Sequence, residues 1–190
     1  MKQSKRQLAV AMTGASGAAY FLRLLHRLGS RDDCMVHVLA SEGGKRVLLE
    51  EHGTSFGELD LNGFTLHNNK NIGASLASGS FRLDSLVVVP CSMNSLCGMA
   101  TGRADNLTLR SAAVQLKEGR RLVVVPRETP LSLIGLRAMV ALKEAGAVIL
   151  PASPGFYQQP KTVEDLVDTV VDRILDQLAL DDAYIRRWNP

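Results

Sequence analysis

A chain of 190 residues, 46% of them hydrophobic, can bury the core of one α/β domain. Its formal charge of +3, from 22 basic and 19 acidic residues, is spread along the sequence. There is no basic run or basic–aromatic alternation, so nucleic acid is not expected, and the excess suits anionic small molecules. Cys34, Cys91 and Cys97 are odd in number and form no Cys-x-x-Cys pair, which argues against a disulfide framework or a zinc site and fits a reducing cytoplasm.

Taken in chain order, Lys2, Lys5 and Arg6 precede an apolar run, Leu8–Met12, that stops after five residues at Thr13-Gly14-Ala15-Ser16-Gly17. That is too short for a signal peptide, and no run approaches a membrane span. A helix is predicted over 16–29, a strand over Met35–Ala40 and a helix over 42–52. Residues 53–80, rich in Gly, Asn and Ser, read as a long loop at an active site or interface, with a weak strand near Phe64–His67. The run Leu86–Val89 ends in Pro90-Cys91-Ser92-Met93-Asn94-Ser95, followed by helical patterns at 92–100 and 104–118. Leu122–Val125 then ends in Pro126-Arg127-Glu128-Thr129-Pro130, a helix over 131–145 follows, and a strand is predicted over Ala147–Leu150. The clearest helix is the last, 162–178. There Val163, Leu166, Val167, Val170, Val171, Ile174, Leu175 and Leu178 repeat at helical spacing behind a Thr162–Asp165 capping box. In the polar tail from 179 to 190, Tyr184, Ile185 and Trp188 are expected to dock on this subunit or a neighbour.

Short, continuous β-branched runs read as strands buried on both faces. Alternating with helices, they predict an α/β fold: a three-layer αβα, Rossmann- or flavodoxin-like arrangement with a mostly parallel sheet, as one domain over residues 1–190. In such a sheet ligands sit where the carboxyl ends of strands converge. Three polar loops leave those ends here, so they outline a binding site.

The loop at 13–17 offers N–H groups and the Ser16 hydroxyl to a phosphate at a helix start. A dinucleotide fingerprint fails in detail, because Ser16 and Ala19 stand where glycines are needed and the second strand runs into Ala40-Ser41, with no acidic residue for a ribose. Tyr157 and Lys161 have the Tyr-x-x-x-Lys spacing of short-chain dehydrogenases, but Pro160 lies between them and opposes the helix that would align them. The second loop, Ser92 to Ser95, suits flavin mononucleotide, which needs donors for one phosphate and both donors and acceptors for ribityl and ring edges. Plain helix capping is the competing reading for Ser92. Arg127-Glu128, stiffened by two prolines, is a candidate charge pair. Arg110 and Lys117, seven apart, share a helix face; Arg173 flanks the apolar stripe of the last helix; Glu51 shows no local partner. The histidines show no ligand spacing, and the two Asp-Asp pairs are too isolated for a magnesium–diphosphate motif, so no metal is expected.

Together the segments Met12 to Ala18, Ser78-Gly79-Ser80-Phe81, Pro90-Cys91-Ser92, Ala100-Thr101-Gly102, Asn106-Leu107, Leu116-Lys117-Glu118, Val125 to Pro130, Pro154-Gly155-Phe156-Tyr157 and Val163 to Val167 resemble the UbiX-type flavin prenyltransferases. These belong to the homo-oligomeric flavin-containing Cys-decarboxylase-like superfamily. The resemblance implies a cytoplasmic, metal-independent enzyme that transfers a dimethylallyl group from dimethylallyl monophosphate to reduced FMN. The product, prenylated FMN, serves UbiD-type decarboxylases. It further implies that Gly14, Ala15, Ser16, Ser41, Ser92, Met93, Asn94, Ser95 and Arg127 bind FMN. Arg110, Lys117, Tyr157 and Arg173 would hold the prenyl phosphate, Trp188 would close the site, and Ser16, Glu51 and Glu128 would be catalytic. A dodecamer with sites between subunits is implied as well. Two alternatives are an FMN-dependent Cys decarboxylase, for which the expected His and Pro-x-Met-Asn-x-x-Met-Trp segment are missing, and a non-catalytic flavin-binding subunit.

Overall fold

The computed structural model of the chain describes residues 5–180, so Tyr184, Ile185 and Trp188 lie outside the described residues. Six strands, β1 (Arg6–Met12), β2 (Cys34–Ala40), β3 (Thr65–Leu66), β4 (Ser85–Cys91), β5 (Arg121–Pro126) and β6 (Val148–Ile149), form one sheet in the order β3-β2-β1-β4-β5-β6. Every pairing is parallel, so the sheet is wholly rather than mostly parallel. The helices are α1 (Ala18–Gly29), α2 (Glu42–His52), α3 (Met93–Ala100), α4 (Leu107–Lys117), α5 (Leu133–Glu144) and α6 (Val163–Gln177).

Alternation along the strands explains the continuous apolar runs. Leu8, Val10 and Met12 face α1 and α6, where they meet Phe21, Leu24, Val170, Ile174 and Leu175. Ala9 and Ala11 face the other way, towards Leu96, Leu107, Ala112 and Leu142 of α3, α4 and α5. Both faces are therefore covered, as a parallel sheet requires. An ion-pair clasp adds orientation between α1 and α6: Arg23 Nε lies 2.6 Å from Asp168, and Arg27 Nη1 lies 3.2 Å from Asp172.

Helix ends follow their caps. Asn106 accepts from the Leu109 N–H, which delays α4 to residue 107, and the Thr162–Asp165 capping box starts α6. β6 is shorter than its apolar run, pairing only through Val148 and Ile149. In the segment 53–80 the only regular pieces are two single 3₁₀ turns (Phe56–Glu58, Ser75–Ala77) and β3. α5 departs from its neighbours, with Leu133, Ile134, Leu136 and Val140 exposed, Ile134 by 73%.

The chain builds β2 and β3 on one side of β1, then crosses back to place β4 on the other. The carboxyl ends of β1 and β4 are thus the switch point where such sheets bind ligands.

Candidate active site at the switch point

The β1–β4 ladder runs from Leu8–Ser85 to Ala11–Val88 and then stops, since Pro90 has no N–H to continue it. A side chain takes over. The buried Thr13 hydroxyl donates to the Pro90 carbonyl at 3.1 Å and accepts from the Ser92 N–H at 2.8 Å, while the Thr13 N–H also reaches Pro90 O at 3.1 Å.

The next residues start two helices. Ser41 accepts from the Gly44 N–H at 3.0 Å and Ser92 from the Ser95 N–H at 3.3 Å, with the Ser92 hydroxyl donating to Ser95 Oγ at 3.1 Å. Both serines are therefore helix caps. Capping leaves the N–H groups of Glu42 and Gly43, and of Met93 and Asn94, without partners among the described residues. Close approach of the loops depends on glycine: a Cβ on Gly14 would lie 3.2 Å from Gly43 Cα, and one on Gly44 would lie 2.8 Å from Met12 O. The Met93 side chain turns away to α5, where a Cβ on Gly135 would collide with its Cε. Met93 therefore offers the crevice its backbone rather than its thioether.

The start of α1 corrects one expectation. Its donors are not free for a phosphate, because Glu51, at the end of α2, accepts from the N–H groups of Gly17 (2.9 and 3.1 Å) and Ala18 (2.8 Å). Nor does Glu51 lack a partner. Partial burial raises its carboxyl, but the Ser16 hydroxyl and these two N–H groups outweigh that and hold it below the ordinary glutamate value. A carboxylate thus occupies the anion position at this helix terminus. Gly17, at φ +110°, makes the turn, and a Cβ there would meet the Tyr20 ring at 2.9 Å.

Arg127 follows β5, its N–H bonded to Cys91 O at 3.3 Å, and its charge acts on Tyr20. Burial raises the Tyr20 hydroxyl and Arg127 opposes that rise. Arg127 forms no ion pair with Glu128 or any other described residue, so the expected charge pair is not made. Glu128 accepts instead from the adjacent Thr129 N–H at 3.1 Å. Both line a cavity of about 300 Å³ with Pro151 and Ser153. Those two residues also wall a larger cavity, about 800 Å³, that contains Tyr157 and Arg173. Arg173 is held at 2.8 Å from Asp176.

Lys117 and Arg110 stand apart from these groups. Lys117 ends α4 beside Gly79, at the amino end of β4, and pairs with Glu118; Arg110 donates from Nε to Ala77 O at 3.2 Å. One chain thus brings together Gly14, Ala15, Ser16, Ser41, Glu51, Ser92 to Ser95, Arg127 and Glu128, with Tyr157 and Arg173 in the adjoining cavity. It keeps Lys117 at the opposite end of the sheet. Trp188 lies outside the described residues. Two participants escaped the sequence reading, Thr13 and Tyr20. A threonine on the last step of a strand, directly before a glycine, was the available signal for the first.

Unpartnered N–H groups on two helix starts, beside an arginine without a counter-charge, call for a ligand with several anionic and acceptor oxygens. The ribityl phosphate and ring edge of a flavin mononucleotide fit that demand. This is the site of a flavin-binding α/β protein, and a family model described as Flavoprotein matches residues 1–175. The chain is 46% identical over 182 residues to a probable UbiX-like flavin prenyltransferase of a Streptomyces species, covering 96% of this chain and 91% of the relative. It is 42% identical to the flavin prenyltransferase UbiX of Thermoplasma acidophilum, covering 96% and 99%. The crystal structure of AnUbiX in complex with FMN and dimethylallyl pyrophosphate superposes with a TM-score of 0.94 at 41% identity, covering 98% of each chain. That of a dodecameric FMN-dependent UbiX-like decarboxylase from Escherichia coli O157:H7 gives 0.93 at 43%, covering 97% and 100%. The chain belongs to the UbiX family of flavin prenyltransferases.

Proposed function

We propose that the whole chain is one flavin prenyltransferase domain that moves a dimethylallyl group from dimethylallyl monophosphate to reduced FMN, in the cytoplasm, and passes the prenylated flavin to a UbiD-type decarboxylase. The observation that carries this reading is the pairing of two sites: capped helix starts with free N–H groups at the β1/β4 switch point, and an adjoining cavity with Tyr157 and Arg173. A flavin-binding protein alone has no use for the second. FMN would lie on Gly14, Ala15, Ser41, Ser92 to Ser95 and Arg127, its reduced ring supplying the nucleophile that accepts the allyl group.

Breaking the allylic carbon–oxygen bond leaves charge on the phosphate, which fixed cations and donors stabilise better than reorganising water does. Tyr157 and Arg173 supply part of that set from one chain, with Arg173 released from Asp176. Lys117 and Arg110 complete it only from a second copy, so the active form is a homo-oligomer, for which a dodecamer is our proposal. Of the two carboxylates, Glu51 already accepts from three donors and orients Ser16. Glu128 accepts from a single backbone N–H and keeps lone pairs free, so it is the better placed proton acceptor.

The test is to incubate the purified protein anaerobically with dithionite-reduced FMN and dimethylallyl monophosphate and weigh the released flavin. The expected product is FMN heavier by one C5H8 unit. Binding of FMN without any adduct would leave a flavin carrier and overturn the assignment.

A further inference from the structure

We propose that Thr13 is a positioning residue for the flavin: its hydroxyl ties the loop after β1 to the start of α3 and so sets the spacing of the two walls of the flavin crevice. The inference rests on the reading of that crevice as the flavin site. At the switch point the β1–β4 backbone ladder has ended at Ala11–Val88. Beyond it, the described hydrogen bonds between the two loops all involve Thr13: its N–H and hydroxyl on Pro90 O, the Ser92 N–H on its Oγ1, and the Ser92 Oγ at 3.4 Å. A hydroxyl has one donor and two acceptor lone pairs, and Thr13 uses the donor and one lone pair in opposite roles across one gap. No apolar side chain can do both.

The consequence for binding follows from helix geometry. Of the four N–H groups at the start of α3, Ser92 N–H is taken by Thr13 and Ser95 N–H by the Ser92 cap, which leaves Met93 and Asn94 to face a ligand. With the Ser92 N–H anchored, the two free donors point from a fixed origin. Without it, a part-buried donor needs a new acceptor, and Ser92, whose side chain is also the cap, is the nearest residue able to shift. Thr13 is only 2% exposed, so solvent cannot substitute for the lost group. Ala15 N–H bonds to Thr13 O at 2.8 Å, so the same residue also sets the turn that carries Ser16.

The experiment compares Thr13→Val, which keeps shape and loses the hydroxyl, with Thr13→Ser, which keeps the hydroxyl. FMN affinity is read by flavin fluorescence quenching, and KM is measured separately for reduced FMN and for dimethylallyl monophosphate. Thr13→Val is expected to weaken FMN binding roughly tenfold, the scale of one buried hydrogen bond, and raise KM for reduced FMN while leaving KM for the prenyl donor unchanged. Thr13→Ser should restore wild-type values within about twofold. A merely structural threonine would lower thermal stability and the active fraction and leave both KM values alone; that result overturns the proposal, as does failure of the serine variant to rescue. Should Thr13→Val not accumulate folded, Thr13→Ala against Thr13→Ser carries the same comparison. Wild-type protein that binds no FMN would refute the flavin site itself, an outcome distinct from equal affinity in wild type and Thr13→Val.

Discussion

The two ends of the sheet are built differently. At the carboxyl end the loops are tied to one another before any ligand arrives: Thr13 to Ser92, Glu51 to the start of α1, Ser41 and Ser92 to their own helices. At the amino end, on the α4 flank, Lys117 pairs with Glu118 beside Gly79, and Arg120 donates to Gly79 O at 2.7 Å and Phe81 O at 3.0 Å. The first is a preorganised pocket, the second a cationic edge whose two charges share one carboxylate, Glu118. A seven-residue strand such as β4 spans roughly 20 Å, so within one chain the Lys117 ammonium cannot reach the crevice of Ser16 and Arg127. In the function proposed above each end is half of a phosphate site, and a second copy would join them.

Breaking assembly should therefore have the largest effect. Ile134→Asp places a charge on the most exposed apolar position of α5, where association would bury it. We expect smaller species by sedimentation velocity and loss of prenyl transfer, with flavin binding reduced far less. A more pointed form uses two impaired variants. Lys117→Ala should lower kcat/KM for the prenyl donor about a hundredfold, on the scale of a removed charge-stabilising group, and Glu128→Gln should slow product formation while FMN still binds. Mixed and reassembled, the pair should regain activity, because some sites then take an intact Lys117 from one copy and an intact Glu128 from another. No recovery would mean that the two ends never meet.

How much of this was readable beforehand divides along the same line. Strands Leu8–Met12 and Leu86–Val89 announced themselves because burial on both faces leaves no polar position in the run, and α6 because its apolar stripe is regular. The loops that carry Ser41, Ser92 and Arg127 followed, since strand ends fix where they must lie. What stayed hidden were contacts between elements distant in sequence. Glu51 reaches Gly17 across 34 positions and Thr13 reaches Ser92 across 79, and no local pattern encodes either. The separation of Lys117 from Arg127 was equally silent, because helix periodicity gives a face and not an end of the sheet.

Glu51 offers a smaller and more local test of the preorganised end. Its carboxyl sits below the ordinary value, so it is ionised at neutral pH, and the cap it provides is present above about pH 4.5 and lost as pH falls through the lowered folded value. Glu51→Gln keeps an acceptor oxygen but removes the charge at the helix start. We expect about 1 kcal/mol of destabilisation by urea denaturation, typical of a lost cap, and roughly a tenfold fall in kcat through a misplaced Ser16. An unchanged kcat with lowered stability would confine Glu51 to capping.

The smallest effect concerns the sheet edge beyond both ends. His37 of β2 is buried, with Nδ1 2.9 Å from His67 Nε2 and Nε2 2.9 Å from Gln7 Oε1, and the Phe81 ring packs edge-on at 5.4 Å. Gln7 Oε1 can only accept, so His37 carries its proton on Nε2 and receives one from His67. Burial, reinforced by the nearby His67, pushes His37 down to about 4, and burial lowers His67 too. A folded value beneath the unfolded one means that the unfolded chain binds more protons between them. Stability is then intact above about pH 6.5 and falls as pH drops towards 4. Between about pH 7 and 5.5 this single group should cost about 1 kcal/mol. Urea titrations of wild type and His37→Gln at both values isolate it, since carboxylates contribute alike to each protein. An equal pH dependence in the two would show that His37 takes up its proton in the fold, and that the edge strand β3 opens without resistance from this pair.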